Sequence, residues 1–382
     1  MPTFTDQLEL RSGVTLKNRL FMSPMTTQQS FYNGTITQDE IKYYADRAKG
    51  LGAVITGAAN VQDGGKGWPG ELSIAHDAML PELGQLARAI QAQGAKAIVQ
   101  IFHGGRMTHR ATLGGVQPVS ASAVAALRPD SETPRAMTVD EIHATIAAFG
   151  EATRRAIQAG FDGIELHGAN TYLIQQFFSP HSNRRTDEYG GSREKRYRFI
   201  KELLASVFAA VDQYADRPFI VGYRFSPLEF EEPGIRFDDT LWLLEQLKSS
   251  RLDYLHMSLN RFDRSEKGAA DTCSMLARAH ELLAGSVPLI GVGGVRTRAD
   301  VEAVLQDADA VAIGQQLLYD PTWAVKLAEG LDDAMLTADF EDALKFTPLN
   351  KPLHDFALSM VQGRKTRQAA YRKQHALSKP SP

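Results

Sequence analysis

Eight short β-rich apolar runs recur along the chain, at 19–25, 53–60, 97–102, 163–167, 219–225, 252–258, 288–293 and 310–314. Between most of them lie segments whose apolar residues repeat at helical spacing. Strand and helix alternating in this way predict a parallel sheet, because each parallel strand must return through a crossover, usually a helix. Eight such units in 382 residues fit one (β/α)8 TIM barrel, which takes roughly 250 residues and more where loops are inserted. We therefore expect an α/β fold: a single TIM barrel over residues 1–345, with loop insertions at its active face, and a C-terminal tail over 346–382.

The intervening helices carry their own punctuation. Thr138-Val139-Asp140-Glu141 fits a capping box, and the helix it opens sets Ile142, Ile146, Phe149 and Ala156 on one face before stopping at Gly160. After Ser192 a second helix places Ile200, Leu203, Leu204, Val207, Phe208 and Val211 on its apolar side. Thr297 followed by Asp300 is a weaker cap signal for the helix between the last two strands. Two connections are longer than a minimal barrel needs, 103–137 and 171–192. Both follow strands, so both belong to the face where barrels carry function. From Phe346 onward the pattern decays, and Arg364, Lys365, Arg367, Arg372, Lys373 and Lys379 occur with no acid among them, which reads as a solvated or subunit-contacting tail with an anion-binding role as the alternative.

Bulk chemistry excludes several classes. A net charge of -3 gives no field to recruit polyanions, so no nucleic acid is expected as partner. The one cysteine, Cys273, cannot make an intramolecular disulfide framework or hold a cluster alone. No stretch of about 18 apolar residues occurs, and MPTFTDQLEL lacks a basic start followed by an apolar run, so no membrane partner and a soluble, cytoplasmic protein are expected.

Chemistry-bearing residues gather at the strand ends. Gly163 to Tyr172 reads as a buried strand running into a polar turn, with His167, Asn170 and Tyr172 where the strand stops. His167 alone is more often a satisfied core histidine; the trio is harder to dismiss. Leu289 to Val295 and Val311 to Gly314 each end a strand in glycine, where backbone amides can approach a ligand. Tight turns explain either alone, but on the last two strands together they favour a phosphate. Gln100 and Arg224 sit in otherwise apolar runs, where an unpaired polar group is costly. Neighbours could satisfy either one; a flat heterocycle with carbonyl and ring-nitrogen edges would satisfy both.

Taken together these residues resemble the old yellow enzyme family of FMN-dependent NAD(P)H oxidoreductases, or ene-reductases. The resemblance rests on Ser23-Pro24-Met25-Thr26, Gln100, His167-Gly168-Ala169-Asn170-Thr171-Tyr172-Leu173, Phe178-Ser179-Pro180, the run from Ser182 to Ser192, and Arg224, and it covers roughly residues 4 to 330 in order. It implies that Pro24, Met25 and Thr26 line the flavin, with the Thr26 hydroxyl near its redox-active edge and Ala58 beneath the ring. It further implies that Gln100 and Arg224 bind the pyrimidine and ribityl edges, and that Gly293, Gly294, Gly314 and Gln315 surround the phosphate. His167 and Asn170 would hold a substrate oxygen and Tyr172 would donate a proton, while NAD(P)H supplies hydride and the substrate is a small electron-poor alkene, an α,β-unsaturated carbonyl or nitro compound. A homo-oligomer fits the family. Three positions depart from its pattern: Gln315 replaces an arginine common at the phosphate, leaving Arg296 a nearby candidate for that charge, Gln28 replaces a tyrosine, and Lys195 an asparagine.

Two other readings compete. A flavin-free barrel using a Schiff-base lysine or a metal is weakened because no lysine lies at a strand's carboxyl end, Lys96 opening its strand at the opposite face. His103, His167 and His256 could converge on a metal, but the carboxylate and histidine pairings of a metal hydrolase are missing, so no metal is expected. A non-catalytic flavin-binding or sensing barrel conflicts with the intact His167, Asn170 and Tyr172 set.

Overall fold

Each of the eight apolar runs contains one strand of a single closed parallel sheet. In the computed structural model these are β1 (Leu20–Met22), β2 (Ala53–Asn60), β3 (Lys96–Phe102), β4 (Gly163–Gly168), β5 (Ile220–Phe225), β6 (Tyr254–Met257), β7 (Leu289–Val292) and β8 (Ala310–Ile313). Neighbours in sequence are neighbours in space, and β1 pairs with both β8 and β2, through Phe21↔Ala312 and Phe21↔Ala53, which closes the barrel. The structure describes residues 2–266, 273–336, 347 and 349–359. The tail expected from residue 346 falls only partly within these, and its basic cluster from Arg364 to Lys379 lies outside them.

Between the strands run α1 (Gln38–Ala48), α2 (Leu80–Gln91), α3 (Val139–Gln158), α4 (Arg193–Tyr214), α5 (Phe237–Leu247), α6 (Met275–Leu283) and α7 (Arg298–Val304), with α8 (Trp323–Glu329) after β8. Helix α3 starts where its cap predicts: Glu141 N–H donates to Thr138 Oγ1 at 3.2 Å, and Thr138 N–H donates back to Glu141 Oε2 at 2.8 Å. Ile142, Phe149 and Ala156 are fully buried against the sheet. Thr297 caps α7 in the same reciprocal manner with Asp300, and Ser192 caps α4 by accepting the Lys195 N–H alone. Among the described residues no helix is long and apolar enough to cross a membrane.

A hairpin that the sequence pattern does not reveal plugs the amino-terminal end of the barrel. Leu8–Glu9 pairs antiparallel with Thr15–Leu16, and Leu8 and Leu16 join Phe21, Ile55, Ile98 and Tyr254 in one apolar cluster. Its strands are two residues long, too short for any periodicity. The Tyr254 ring lies over Gly222 of β5, where any Cβ would collide with it. Lys96 sits at this same end, its Nζ 3.5 Å from Asp162. The two long connections leave the opposite face, and the second contains a short helix, Leu173–Phe178.

Candidate active site

Strand register assembles a polar layer inside the carboxyl half of the barrel. Gln100 of β3 is paired with Ala58 of β2 and with Glu165 of β4. Arg224 of β5 is paired with His167 of β4 and His256 of β6. Glu165 and His256 are fully buried, and Gln100 and Arg224 nearly so. Glu165 is the hub: Gln100 Nε2 donates to its Oε1 at 2.6 Å and His256 Nδ1 donates to its Oε2 at 2.9 Å. Burial alone would raise the Glu165 carboxyl, but the bond and charge of His256 and the charge of Arg224 outweigh it and hold its pKa below the ordinary value. Glu165 is therefore an anion inside the barrel, beside the Arg224 cation.

The Gln100 amide nitrogen thus has a protein partner in Glu165, and its Oε1 has no such bond to that carboxylate. Arg224 keeps its Nε without a hydrogen-bond partner although that atom is buried. Glu165 carries no role in the sequence-based reading, and His256 enters it only as one of three histidines weighed for a metal. The available signal was a lone charged residue and a lone histidine inside otherwise apolar strands, the pattern that marked Gln100 and Arg224.

At the end of β4 the chain makes a turn in which two successive non-glycine residues are left-handed, Asn170 at φ 55° and Thr171 at φ 65°. Such residues cost about 1–3 kcal/mol each and persist only when their surroundings fix them. Here Asn170 N–H donates to Ser226 Oγ at 2.8 Å, Thr171 N–H to Gln175 Oε1 at 3.0 Å, and Gln176 Nε2 to the Thr171 carbonyl at 2.6 Å. Gln175 is itself held by buried Glu229 at 2.7 Å, which also accepts from Ser179 Oγ at 2.5 Å. The turn is clamped through its backbone.

Those side chains form one wall. The Tyr172 ring lies edge-on to His167, with centroids 4.9 Å apart, and to Phe102 at 5.0 Å, with Trp68 at 6.1 Å. Ala169 N–H donates to His167 Nδ1 at 3.4 Å, which leaves the ring proton on Nε2. Burial, with the Arg224 charge acting in the same sense, pushes the His167 pKa well below its usual value, so the ring is a neutral donor. Burial also pushes the Tyr172 phenol up to about 12, reinforced by the nearby Glu71 carboxyl. One consequence is open to direct measurement: the rate at which the protein reduces an alkene should show no inflection near the ordinary histidine pKa of about 6.5. An acid limb centred there in a stopped-flow pH profile would contradict the neutral imidazole.

Across the barrel mouth the ends of β1, β2 and β8 converge. Pro24 is buried, and Met25 and Thr26 are half-buried. Met25 Sδ lies 3.6 Å from where a Cβ on Gly314 would be, and its carbonyl oxygen 2.7 Å from where one on Gly57 would be. The loop after Thr26 is pinned by Thr27 and Ser30, whose hydroxyls donate to buried Glu40 at 2.6 and 2.5 Å. Gly293, at φ +128°, packs so tightly on the loop after β6 that a Cβ would lie 2.8 Å from Arg261 N. Gly294 is left-handed, and Gly314 opens the short helix Gln315–Tyr319, on which Gln315 is exposed. The Arg296 guanidinium stacks 5.6 Å over the ring of Tyr319, at the far end of that same helix.

A polar layer with an unpartnered guanidinium nitrogen on one side and a glycine cradle on the other fits FMN, which carries hydrogen-bonding ring edges at one end and a phosphate at the other. Comparison with known proteins agrees. Residues 7–334 match the family model of the NADH:flavin oxidoreductase / NADH oxidase family. The chain is 46% identical over 357 residues to an NADH:acrylate oxidoreductase of Vibrio harveyi, covering 92% of this chain and 35% of that protein. It is 47% identical over 327 residues to an NADH:fumarate oxidoreductase of Klebsiella pneumoniae (strain 342), covering 84% and 35%. The chain thus spans about a third of the length of these two relatives. Its fold superposes on the old yellow enzyme homologue of Zymomonas mobilis with a TM-score of 0.77 at 27% identity, covering 90% of this chain and 96% of that one.

Proposed function

Because this chain belongs to the NADH:flavin oxidoreductase / NADH oxidase family, the FMN-dependent NAD(P)H oxidoreductases with the old yellow enzyme barrel, we propose that it reduces the activated C=C bond of α,β-unsaturated carbonyl or nitro compounds. The observation that carries this reading is the contact of His167 with Tyr172, which sets a neutral donor and a protonated phenol on one wall of the barrel mouth. Bound FMN would supply hydride transfer between NAD(P)H and the alkene. Gln100 and Arg224 would hold its ring edges, with Ala58, Pro24, Met25 and Thr26 lining it, and Gly293, Gly294, Gly314 and Gln315 would hold its phosphate.

The protein's own part in alkene reduction is electrostatic. As hydride reaches the β-carbon, negative charge gathers on the activating oxygen. His167 Nε2–H and the Asn170 carboxamide donate to that oxygen in this reading and stabilise the charge most in the transition state. Tyr172 Oη gives its proton to the α-carbon, which completes the addition of two hydrogens, and the phenolate regains a proton from solvent.

A second reading is favoured by one fact: the relatives named for acrylate and fumarate are about three times as long as the region they share with this chain. In that reading this unit oxidises the nicotinamide and passes electrons to an acceptor site elsewhere. Acrylate and fumarate are themselves electron-poor alkenes, so both readings meet in one experiment. The holoprotein, reduced anaerobically with NADH, is mixed separately with cyclohexenone, acrylate and a one-electron dye. Reoxidation by an alkene supports the first reading; reoxidation by the dye alone supports the second.

A further inference from the structure

We propose that Ser258 is a positioning residue for this reaction: its hydroxyl holds the Asn170 carboxamide so that Nδ2, and not Oδ1, is presented to a substrate oxygen. The proposal rests on the reading of Asn170 as a substrate-binding donor. Ser258 Oγ donates to Asn170 Oδ1 at 3.0 Å. Ser258 directly follows β6, and its own N–H donates to the Phe225 carbonyl of β5 at 2.8 Å. From the β5 side Ser226 Oγ accepts the Asn170 N–H at 2.8 Å. Two serines on adjacent strand ends therefore fix one residue, the first its side chain and the second its backbone.

The need for such a device follows from where Asn170 stands. It is exposed and left-handed, so packing does little to choose between the two faces of its carboxamide. The terminal torsion of an amide is broad and nearly two-fold, and the flipped form is almost the same shape. The two forms differ sharply in function: one places an N–H donor against the substrate oxygen, the other an oxygen lone pair. In the arrangement present Ser258 Oγ donates to Oδ1 at 3.0 Å, which fixes the carboxamide plane and leaves the Nδ2 donors on the side away from the serine. His167 shows the same logic, since the Ala169 N–H on its Nδ1 selects the tautomer whose donor is Nε2. Each donor of the pair is thus oriented by a hydrogen bond on its far side.

The test uses FMN-loaded wild type, Ser258→Ala, Ser258→Thr, Asn170→Ala and the Ser258→Ala/Asn170→Ala double variant, with cyclohexenone as probe. Loss of one neutral orienting bond should weaken alkene binding in the oxidative half-reaction about five- to tenfold in Ser258→Ala. Ser258→Thr, which keeps the hydroxyl, should recover most of that loss. Flavin affinity and the rate of flavin reduction by NADH should be unchanged in Ser258→Ala and Ser258→Thr. In the Asn170→Ala background the serine change should have no further effect, because Ser258 acts through Asn170. Wild-type behaviour of Ser258→Ala beside an impaired Asn170→Ala, or losses that multiply in the double variant, would overturn the proposal and leave the role of Asn170 standing. Wild-type behaviour of Asn170→Ala would remove Asn170 from the site, and the proposal with it.

Discussion

Replacing Tyr172 by phenylalanine is expected to slow alkene reduction by about a hundredfold or more, the usual contribution of a positioned general acid, with flavin reduction by the nicotinamide left close to wild type. The split follows from what the side chain does. The ring fills space between His167, Phe102 and Trp68, and phenylalanine keeps that packing. Only the Oη proton is lost, and no proton is needed when hydride passes from nicotinamide to flavin. Stopped-flow measurement of the two half-reactions separates the outcomes. Equal slowing of both would mean that Tyr172 shapes the pocket and does not donate the proton.

The second large effect is on stability. Glu165→Ala should destabilise the protein by about 2–6 kcal/mol, because it deprives the buried donors Gln100 Nε2 and His256 Nδ1 of their acceptor, at about 1–3 kcal/mol each, and removes a charge that favours the Arg224 cation. The size of that loss comes from the groups left unpaired and does not measure the worth of the hydrogen bonds. Sign and pH window follow from the depressed Glu165 pKa. Its contribution is complete above the ordinary glutamate value of about 4.3 and fades as pH falls through the lower folded value. The gap between variant and wild type should therefore narrow in acid. Urea unfolding of the flavin-free proteins at neutral pH and in acid reads both, and a neutral-pH difference under about 1 kcal/mol would show that Gln100 and His256 find another acceptor or solvent.

These two residues also mark the border of what the sequence discloses. The barrel is legible because strands covered on both faces become continuous apolar runs, and the helices between them announce their starts through Thr138, Ser192 and Thr297. Tyr172, His167 and Asn170 stand out because they are polar and lie together where such a run stops. Glu165 lies two residues before His167 and passes unremarked, since its role depends on register with β3 and on His256, 91 positions away. Ser226 and Ser258 are still less visible: a serine after a strand is ordinary, and only the fold brings these two to Asn170. The left-handed pair Asn170 and Thr171 is hidden for a similar reason, as neither is glycine and both are held by partners the turn itself recruits.

The most direct test of the central claim is a single anaerobic experiment on the FMN-loaded protein. One equivalent of NADH is added and the visible flavin absorption followed as it bleaches; an excess of cyclohexenone is then mixed in and the products examined. The account predicts full bleaching, recovery of the oxidised spectrum on mixing, and one saturated ketone formed per flavin. A flavin that bleaches with NADH and stays reduced in the presence of cyclohexenone, acrylate and a nitroalkene would contradict it.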